Sequence, residues 1–319
     1  MYDFETLVSR RNLGSVKWEE ANKNNKGNEE IIPFSVADME FNNAPEIIEG
    51  LKEYAEKAIY GYTSATEEYY NAVCSWMKKR HDYDIDKEWI VETAGVVPAL
   101  HTIVKALTDK NDGIMIMTPV YYPFYGAIEN HNRKIVKNKL IYKDGKYTID
   151  FDDFEKKAAM DHVKMLILCN PHNPVGRVWT KDELKRIGDI CLKNNMIVVS
   201  DEIHFDLIMP GNNHTVFSTV SKEFEQNSII CTAPSKTFNL AGLQDSNIII
   251  ANEKLRKKVT DELEKSGFFT LNTFAFKACE LAYTKCEKWL DELIVVLDEN
   301  RRCVQKFFEE NLPQVTVIP

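Results

Sequence analysis

One lysine stands out by its setting. Lys236 lies in the string Ala233-Pro234-Ser235-Lys236-Thr237-Phe238-Asn239-Leu240-Ala241-Gly242, directly after the apolar run Ser228 to Thr232. Its small and apolar neighbours are expected to keep the amine from bulk water. Burial disfavours the ammonium form, lowers the amine's pKa and makes it a nucleophile suited to condensing with a carbonyl. Read alone, the position is also that of an ordinary surface lysine at a strand end. Asp201 follows the apolar run Met196 to Ser200. A carboxylate there needs a cation or donors unless it merely caps the next segment. Asn173 sits in Asn170-Pro171-His172-Asn173-Pro174-Val175-Gly176, where two X-Pro steps fix the backbone that carries its amide. A plain turn would use the same residues.

Tyr121 comes just after the strand-like Ile114 to Met117, which ends at Thr118-Pro119. Gly95-Val96-Val97 precedes a helix whose first N–H groups would face an anion, although most helix starts bind nothing. The set is more specific than its members. It offers a helix N-terminus for a phosphate, a tyrosine for stacking and an amide for a phenolic oxygen. It adds a carboxylate for a ring nitrogen and an amine for an aldehyde. Those are the requirements of pyridoxal 5′-phosphate (PLP). Neither G-x-G-x-x-G nor a P-loop string occurs, so dinucleotide and P-loop readings lack support. The cluster Asp201, Glu202, His204 and Asp206 lacks the helical histidine pair or the cysteines of a metal site.

The elements that must position these residues are legible from about residue 90 onward. Val96, Val97, Leu100, Ile103, Val104 and Leu107 mark a helix face, with Pro98 tolerable only near the first turn. Val163 to Cys169, Met196 to Ser200, Ser228 to Thr232 and Asn247 to Ala251 read as further strands. Thr180-Lys181-Asp182-Glu183 is a capping box that opens a helix through Leu184, Ile187, Ile190 and Cys191. Strands apolar on both faces that alternate with helices predict an α/β fold with a mainly parallel sheet. Ligands of such sheets bind beyond the carboxyl ends of the strands, where Tyr121, Asn173, Asp201 and Lys236 all fall. The polar stretch Asn22 to Glu30 reads as a surface loop. No internal repeat and no Pro/Gly linker divides the chain.

Bulk properties narrow the partners. The chain has 319 residues, 44% hydrophobic and 28% charged, an ordinary globular composition. A net charge of −9 disfavours nucleic acid or an anionic membrane as main partner. No apolar run approaches the roughly 20 residues that span a bilayer. The N-terminus lacks a signal-peptide layout. The seven cysteines are scattered, with no C-x-x-C pair; most read as small core residues, and a reducing cytoplasm is expected.

The order of these motifs resembles the fold-type I PLP enzymes of the aminotransferase class. Longer strings are similar to one branch, the MalY/PatB-type cystathionine β-lyases that include cystalysin. They are "GSVKW", "SVADMEF", "GYTSATEEY", "WIVETAGVVPAL", "TPVYYPF", "CNPHNPVGRVWTKDEL", "VVSDEIHFDLIMPG" and "APSKTFNLAG". The resemblance covers essentially the whole chain. It implies a seven-stranded sheet and three parts: an N-terminal segment of the small domain (1–45), a large PLP-binding domain (46–283) and the start of the C-terminal small domain (284–319). It implies that Lys236 carries the cofactor, that Asp201 pairs with the ring nitrogen and that Tyr121 stacks on the ring. Asn173 and His204 would lie near the ring's 3′-oxygen, and Gly95, Val96, Val97 and Ser235 would hold the phosphate. Tyr62 would reach into the neighbouring subunit's site, which implies a homodimer.

The implied reaction is β-elimination on L-cystathionine, L-cysteine or S-substituted cysteines, giving a thiol, pyruvate and ammonia. An aminotransferase with the same site and a regulatory protein-binding member of the branch are the alternatives. Two features depart from the wider class. Gln244 stands where many aminotransferases place a phosphate-binding arginine, which fits the lyase branch. The chain also stops at Pro319, before the strand and the carboxylate-clamping arginine that the family carries, so a truncated and impaired small domain is expected.

Overall fold

The structure, a computed structural model, describes residues 1–24, 31–57 and 59–318. Among the described residues the strands are β1 (Ile90–Thr93), β2 (Gly113–Thr118), β3 (Lys134–Lys139), β4 (Ile141–Lys143), β5 (Lys146–Thr148), β6 (Val163–Cys169), β7 (Ile197–Asp201), β8 (Ser228–Thr232) and β9 (Ser246–Ile249). The helices are α1 (Val16–Asn24), α2 (Pro45–Lys57), α3 (Glu67–His81), α4 (Val96–Leu107), α5 (Pro123–Glu129), α6 (Phe151–Ala158), α7 (Lys181–Lys193), α8 (Lys222–Gln226), α9 (Pro234–Thr237), α10 (Glu253–Lys265), α11 (Thr273–Lys285) and α12 (Glu287–Asn311).

Seven strands form one sheet in the order β1-β9-β8-β7-β6-β2-β3, and β4 and β5 make a separate hairpin. The run β3-β2-β6-β7-β8 is parallel, and β9 is antiparallel to both β8 and β1. β8 is buried at every position, and β2 at all but Thr118, because helices cover both faces of the sheet. One face packs against α3, α7, α11 and α12 through Trp76, Leu184, Phe238, Cys279 and Trp289. The other packs against α4 and α5 through Leu100, Ile103 and Phe124. In α4, Val96, Ala99, Leu100, Ile103 and Val104 are buried, the stripe a helix lays on a sheet. Pro98 occupies its third position, where a missing N–H costs no helical bond. The α7 capping box closes in both directions: the Glu183 amide donates to Thr180 Oγ1 at 3.2 Å, and the Thr180 amide donates to Glu183 Oε2 at 2.8 Å.

Three details differ from the sequence reading. Residues Asn22 to Asn24 finish α1 instead of belonging to a loop, and the rest of that stretch, 25–30, lies outside the described residues. The strand read as Met196 to Ser200 runs from Ile197 to Asp201, so Asp201 is the last residue of β7. The strand expected over Asn247 to Ala251 ends at Ile249. Five cysteines are buried and all seven are free thiols. Among the described residues no helix is long and apolar enough to cross a membrane.

Sheet order fixes the neighbours of the site. β8, β7, β6 and β2 lie side by side and point the same way. Cys169 of β6, Asp201 of β7 and Cys231 of β8 are register partners in one row across the strand ends. The segments that leave this edge carry Lys236, Asn173 and Tyr121.

Candidate active site

Asp201 sits at the centre of that edge. It is 4% exposed, and its Oδ1 accepts one hydrogen bond, from the Ile203 amide at 3.2 Å. Burial pushes its carboxyl up to about 7; adjacent Glu202 raises it further, and Lys236 opposes the shift. A buried carboxylate so poorly supplied with donors is a place that a protonated ring nitrogen would stabilise.

Lys236 is the third residue of α9, the short helix that begins at Pro234 after β8. Its Nζ donates to the carbonyl of Ala37 at 3.1 Å. Burial lowers its pKa, against the raising pull of Asp38 and Asp201. The expectation that its amine is cut off from water is corrected: Lys236 is only half-buried.

Tyr121 is half-buried in the turn between β2 and α5. Burial raises its phenol pKa, with the neighbouring Tyr122, Asp201 and Cys169 adding to the shift. The Asn173 backbone N–H donates to Cys169 Sγ at 3.3 Å, which ties the Asn-Pro loop to the end of β6. His204 follows β7, and burial with Lys236 nearby lowers its imidazole to about 4. Lys236, Asp201, His204, Tyr121 and Asn173 therefore converge. Of these, Asn173 and His204 line a cavity of about 850 Å³, together with Ala37, Arg177 and Arg301 among others, while Lys236, Asp201 and Tyr121 lie outside its lining.

The anion-holding candidates flank this group. Gly95 is the N-cap of α4 at φ +111°, a conformation that side chains resist, and α4 has no side-chain cap. Val96 and Val97 are the first two helical residues, not residues before the helix, and Val96 shares a core cluster with Cys169 and Ala233. Ser235 is half-buried in α9 beside Lys236. Tyr62 stands apart: its side chain is 99% exposed and meets Phe269 edge-on at 6.1 Å.

Sequence reasoning missed how the N-terminal segment is fastened here. The Asn239 side chain accepts from the Met39 amide and donates to the Met39 carbonyl, both at 3.0 Å. Asn43 Nδ2 donates to the carbonyls of Phe238 and Asn239. Behind the strap, Lys17 and Arg10 pair with Asp38 and Glu40. The signal was present, since "SVADMEF" was singled out, but nothing local shows which distant motif it meets.

The family model for aminotransferase class I and II matches residues 29–280. Cystathionine beta-lyase PatB of Bacillus subtilis is 42% identical over 316 residues, which is 99% of this chain and 81% of that protein. The crystal structure of cystalysin from Treponema denticola, which contains a pyridoxal 5′-phosphate cofactor, matches at TM-score 0.97 and 51% identity over 98% of this chain and 80% of its own. The PLP-bound C-S lyase from Staphylococcus hominis matches at TM-score 0.93 and 36% identity over 100% of this chain and 80% of its own. The family match runs through every strand end described above, and the chain belongs to the aminotransferase class I and II family.

Proposed function

We propose that this protein is a PLP-dependent carbon–sulfur β-lyase acting on L-cystathionine or related sulfur amino acids. The observation that carries the reading is Asp201. It is a buried carboxylate with one donor and a carboxyl raised to about 7, beside a lysine whose amine is lowered by burial. That pair fits a cationic heteroaromatic nitrogen and an aldehyde on one molecule. In this reading Lys236 holds the cofactor, Asp201 faces its ring nitrogen, Tyr121 covers its ring, and Asn173 and His204 face its phenolic oxygen. The uncapped amides at Gly95, Val96 and Val97 and the Ser235 hydroxyl take its phosphate. When bound, PLP supplies an aldehyde for amines and a ring that accepts electrons from a bond broken at Cα.

The chain's own groups do the rest. A depressed pKa leaves more of Lys236 as free amine near neutral pH, so it can take the proton from the substrate Cα. Asp201 keeps a proton at the ring nitrogen. Tyr121 keeps its phenolic proton because burial raises its pKa, and it serves as a donor. The Cβ–S bond breaks with its electron pair leaving on sulfur, and water converts the remaining three-carbon unit to pyruvate and ammonia.

Support for the lyase over a transaminase comes from the relatives named as cystathionine β-lyase or C-S lyase at 42% and 36% identity. Gln244 in place of a phosphate-binding arginine agrees with that branch. The exposed Tyr62 supports a homodimer in which one subunit completes the other's site, with residues 46–283 as the cofactor-binding unit. The test is product analysis with L-cystathionine. Continuing release of pyruvate, ammonia and homocysteine supports the lyase. One equivalent of keto acid per subunit, with the cofactor left in its amine form, would establish the transaminase instead.

A further inference from the structure

Asp206 is buried, and its side chain is fully covered. No part of the proposed chemistry uses it. It belongs to the loop after β7 that also carries His204, and it meets two other elements. Thr237 Oγ1, one residue after Lys236, donates to Asp206 Oδ2 at 2.8 Å. From α3, Trp76 Nε1 donates to both carboxylate oxygens at 3.2 and 3.3 Å, and His81 Nε2 lies 2.8 Å from Oδ1. The His81 ring is held in turn by stacking on Phe205, centroids 4.1 Å apart. A second cavity of about 240 Å³ is lined by Arg80, His81, Asp206 and His214 among others.

We propose that Asp206 is a positioning residue for Lys236, acting through Thr237. This rests on Lys236 being the reactive lysine. One carboxylate ties the lysine-bearing α9 to α3 and to the loop that follows Asp201 and carries His204. Charged or bidentate hydrogen bonds restrict orientation more than neutral ones do, and Asp206 collects donors from two elements. Thr237 is fully buried, so no water replaces its partner. Losing the tether lets α9 shift, and a shift near 1 Å at a reacting amine is enough to cost on the order of 100-fold in rate.

The test uses Thr237→Val, Thr237→Ser and Asp206→Asn in the 319-residue chain. Competitive acetylation of Lys236 by acetic anhydride is followed across pH in the cofactor-free protein, with the modified peptide quantified by mass spectrometry. The groups facing this amine are Asp38, Asp201 and His204, and none is altered. A loosened α9 lets water reach the amine and relieves the burial that lowers its pKa. The labelling midpoint in Thr237→Val and Asp206→Asn therefore rises by about half a pH unit or more, toward the ordinary lysine range. Thr237→Ser, which keeps the hydroxyl, restores the wild-type midpoint. In the loaded protein kcat falls by about tenfold or more with little change in KM. A Thr237→Val protein that melts earlier but keeps the wild-type midpoint and kcat overturns the proposal, because Asp206 would then be structural only. Should wild type form no lysine-dependent visible absorbance with PLP, the functional reading fails, while the labelling midpoint still decides the positioning claim.

Discussion

Lys236 Nζ hydrogen-bonds to the carbonyl of Ala37, 199 residues earlier in the chain. The contact joins the end of β8 to a segment before α2, and it gives the amine a fixed partner at the mouth of the site. It holds because Asn239 and Asn43 bind the same segment to the turn after Lys236. Val36, immediately before, has φ +61°, a backbone state that a β-branched residue resists. The strap is therefore kept in place by its bonds against its local preference.

Asn239→Asp tests the strap. Asn239 itself has φ +58°, which aspartate also tolerates; the change keeps the acceptor for the Met39 amide but replaces the donor to the Met39 carbonyl with a charged oxygen that repels it. We expect a loss of about 1–2 kcal/mol in unfolding free energy, with faster proteolysis in residues 36–43. Unchanged cleavage would show that the strap is held elsewhere.

Gly95→Ala should weaken cofactor binding as well as the fold. The added methyl has room, with Pro98 Cδ at 3.6 Å, but φ +111° is strained for any side chain. A cost of about 1–3 kcal/mol is expected at this position. Relief of that strain moves the first amides of α4, so PLP affinity measured by titration should fall at least tenfold. Equal affinity would remove these amides from the phosphate site.

Asp245 gives a pH signature. It is 3% exposed, receives the Tyr69 hydroxyl at 3.2 Å on Oδ1, and its Oδ2 has no partner. Burial raises its carboxyl to about 7. A carboxyl raised in the folded state costs nothing below its unfolded value near 3.9. It destabilises increasingly as pH rises to about 7, where the penalty is complete. His172 and His204, lowered to about 4, act oppositely below their unfolded value. The raw profile is therefore mixed, and the difference between wild type and Asp245→Asn isolates the carboxyl. Urea unfolding should show the variant gaining relative stability from pH 4 to pH 7. A constant difference would mean that Asp245 is ionised throughout.

Tyr62 tests the shared site. Tyr62→Ala and Lys236→Ala should each be inactive. Equal mixtures, unfolded and refolded together, should recover about a quarter of wild-type activity, because half the dimers carry one intact site. No recovery would place Tyr62 outside the neighbour's site.

The parts of the fold visible in the sequence are those with short-range causes. β6 and β8 ended where their apolar runs ended, and the capping box marked the start of α7. β3 was missed because Lys134–Lys139 is an edge strand with alternating exposure, and its buried Asn138 finds acceptors for Nδ2 only in the distant Asp150 and Asp153. The antiparallel direction of β9 has no signature in four residues that are buried on both faces. The placement of Lys236, Asp201, Asn173 and Tyr121 followed from one rule about strand ends. Their long-range partners did not, since Ala37 and Asp206 meet α9 only through the completed sheet.

The most direct measurement is the visible absorption spectrum of the protein with PLP, compared with Lys236→Ala and followed after adding L-cystathionine. The account predicts a yellow absorbance in wild type that is absent in the variant and returns after each addition of substrate while pyruvate accumulates. An equal absorbance in Lys236→Ala, or pyruvate release unaffected by the substitution, would contradict it.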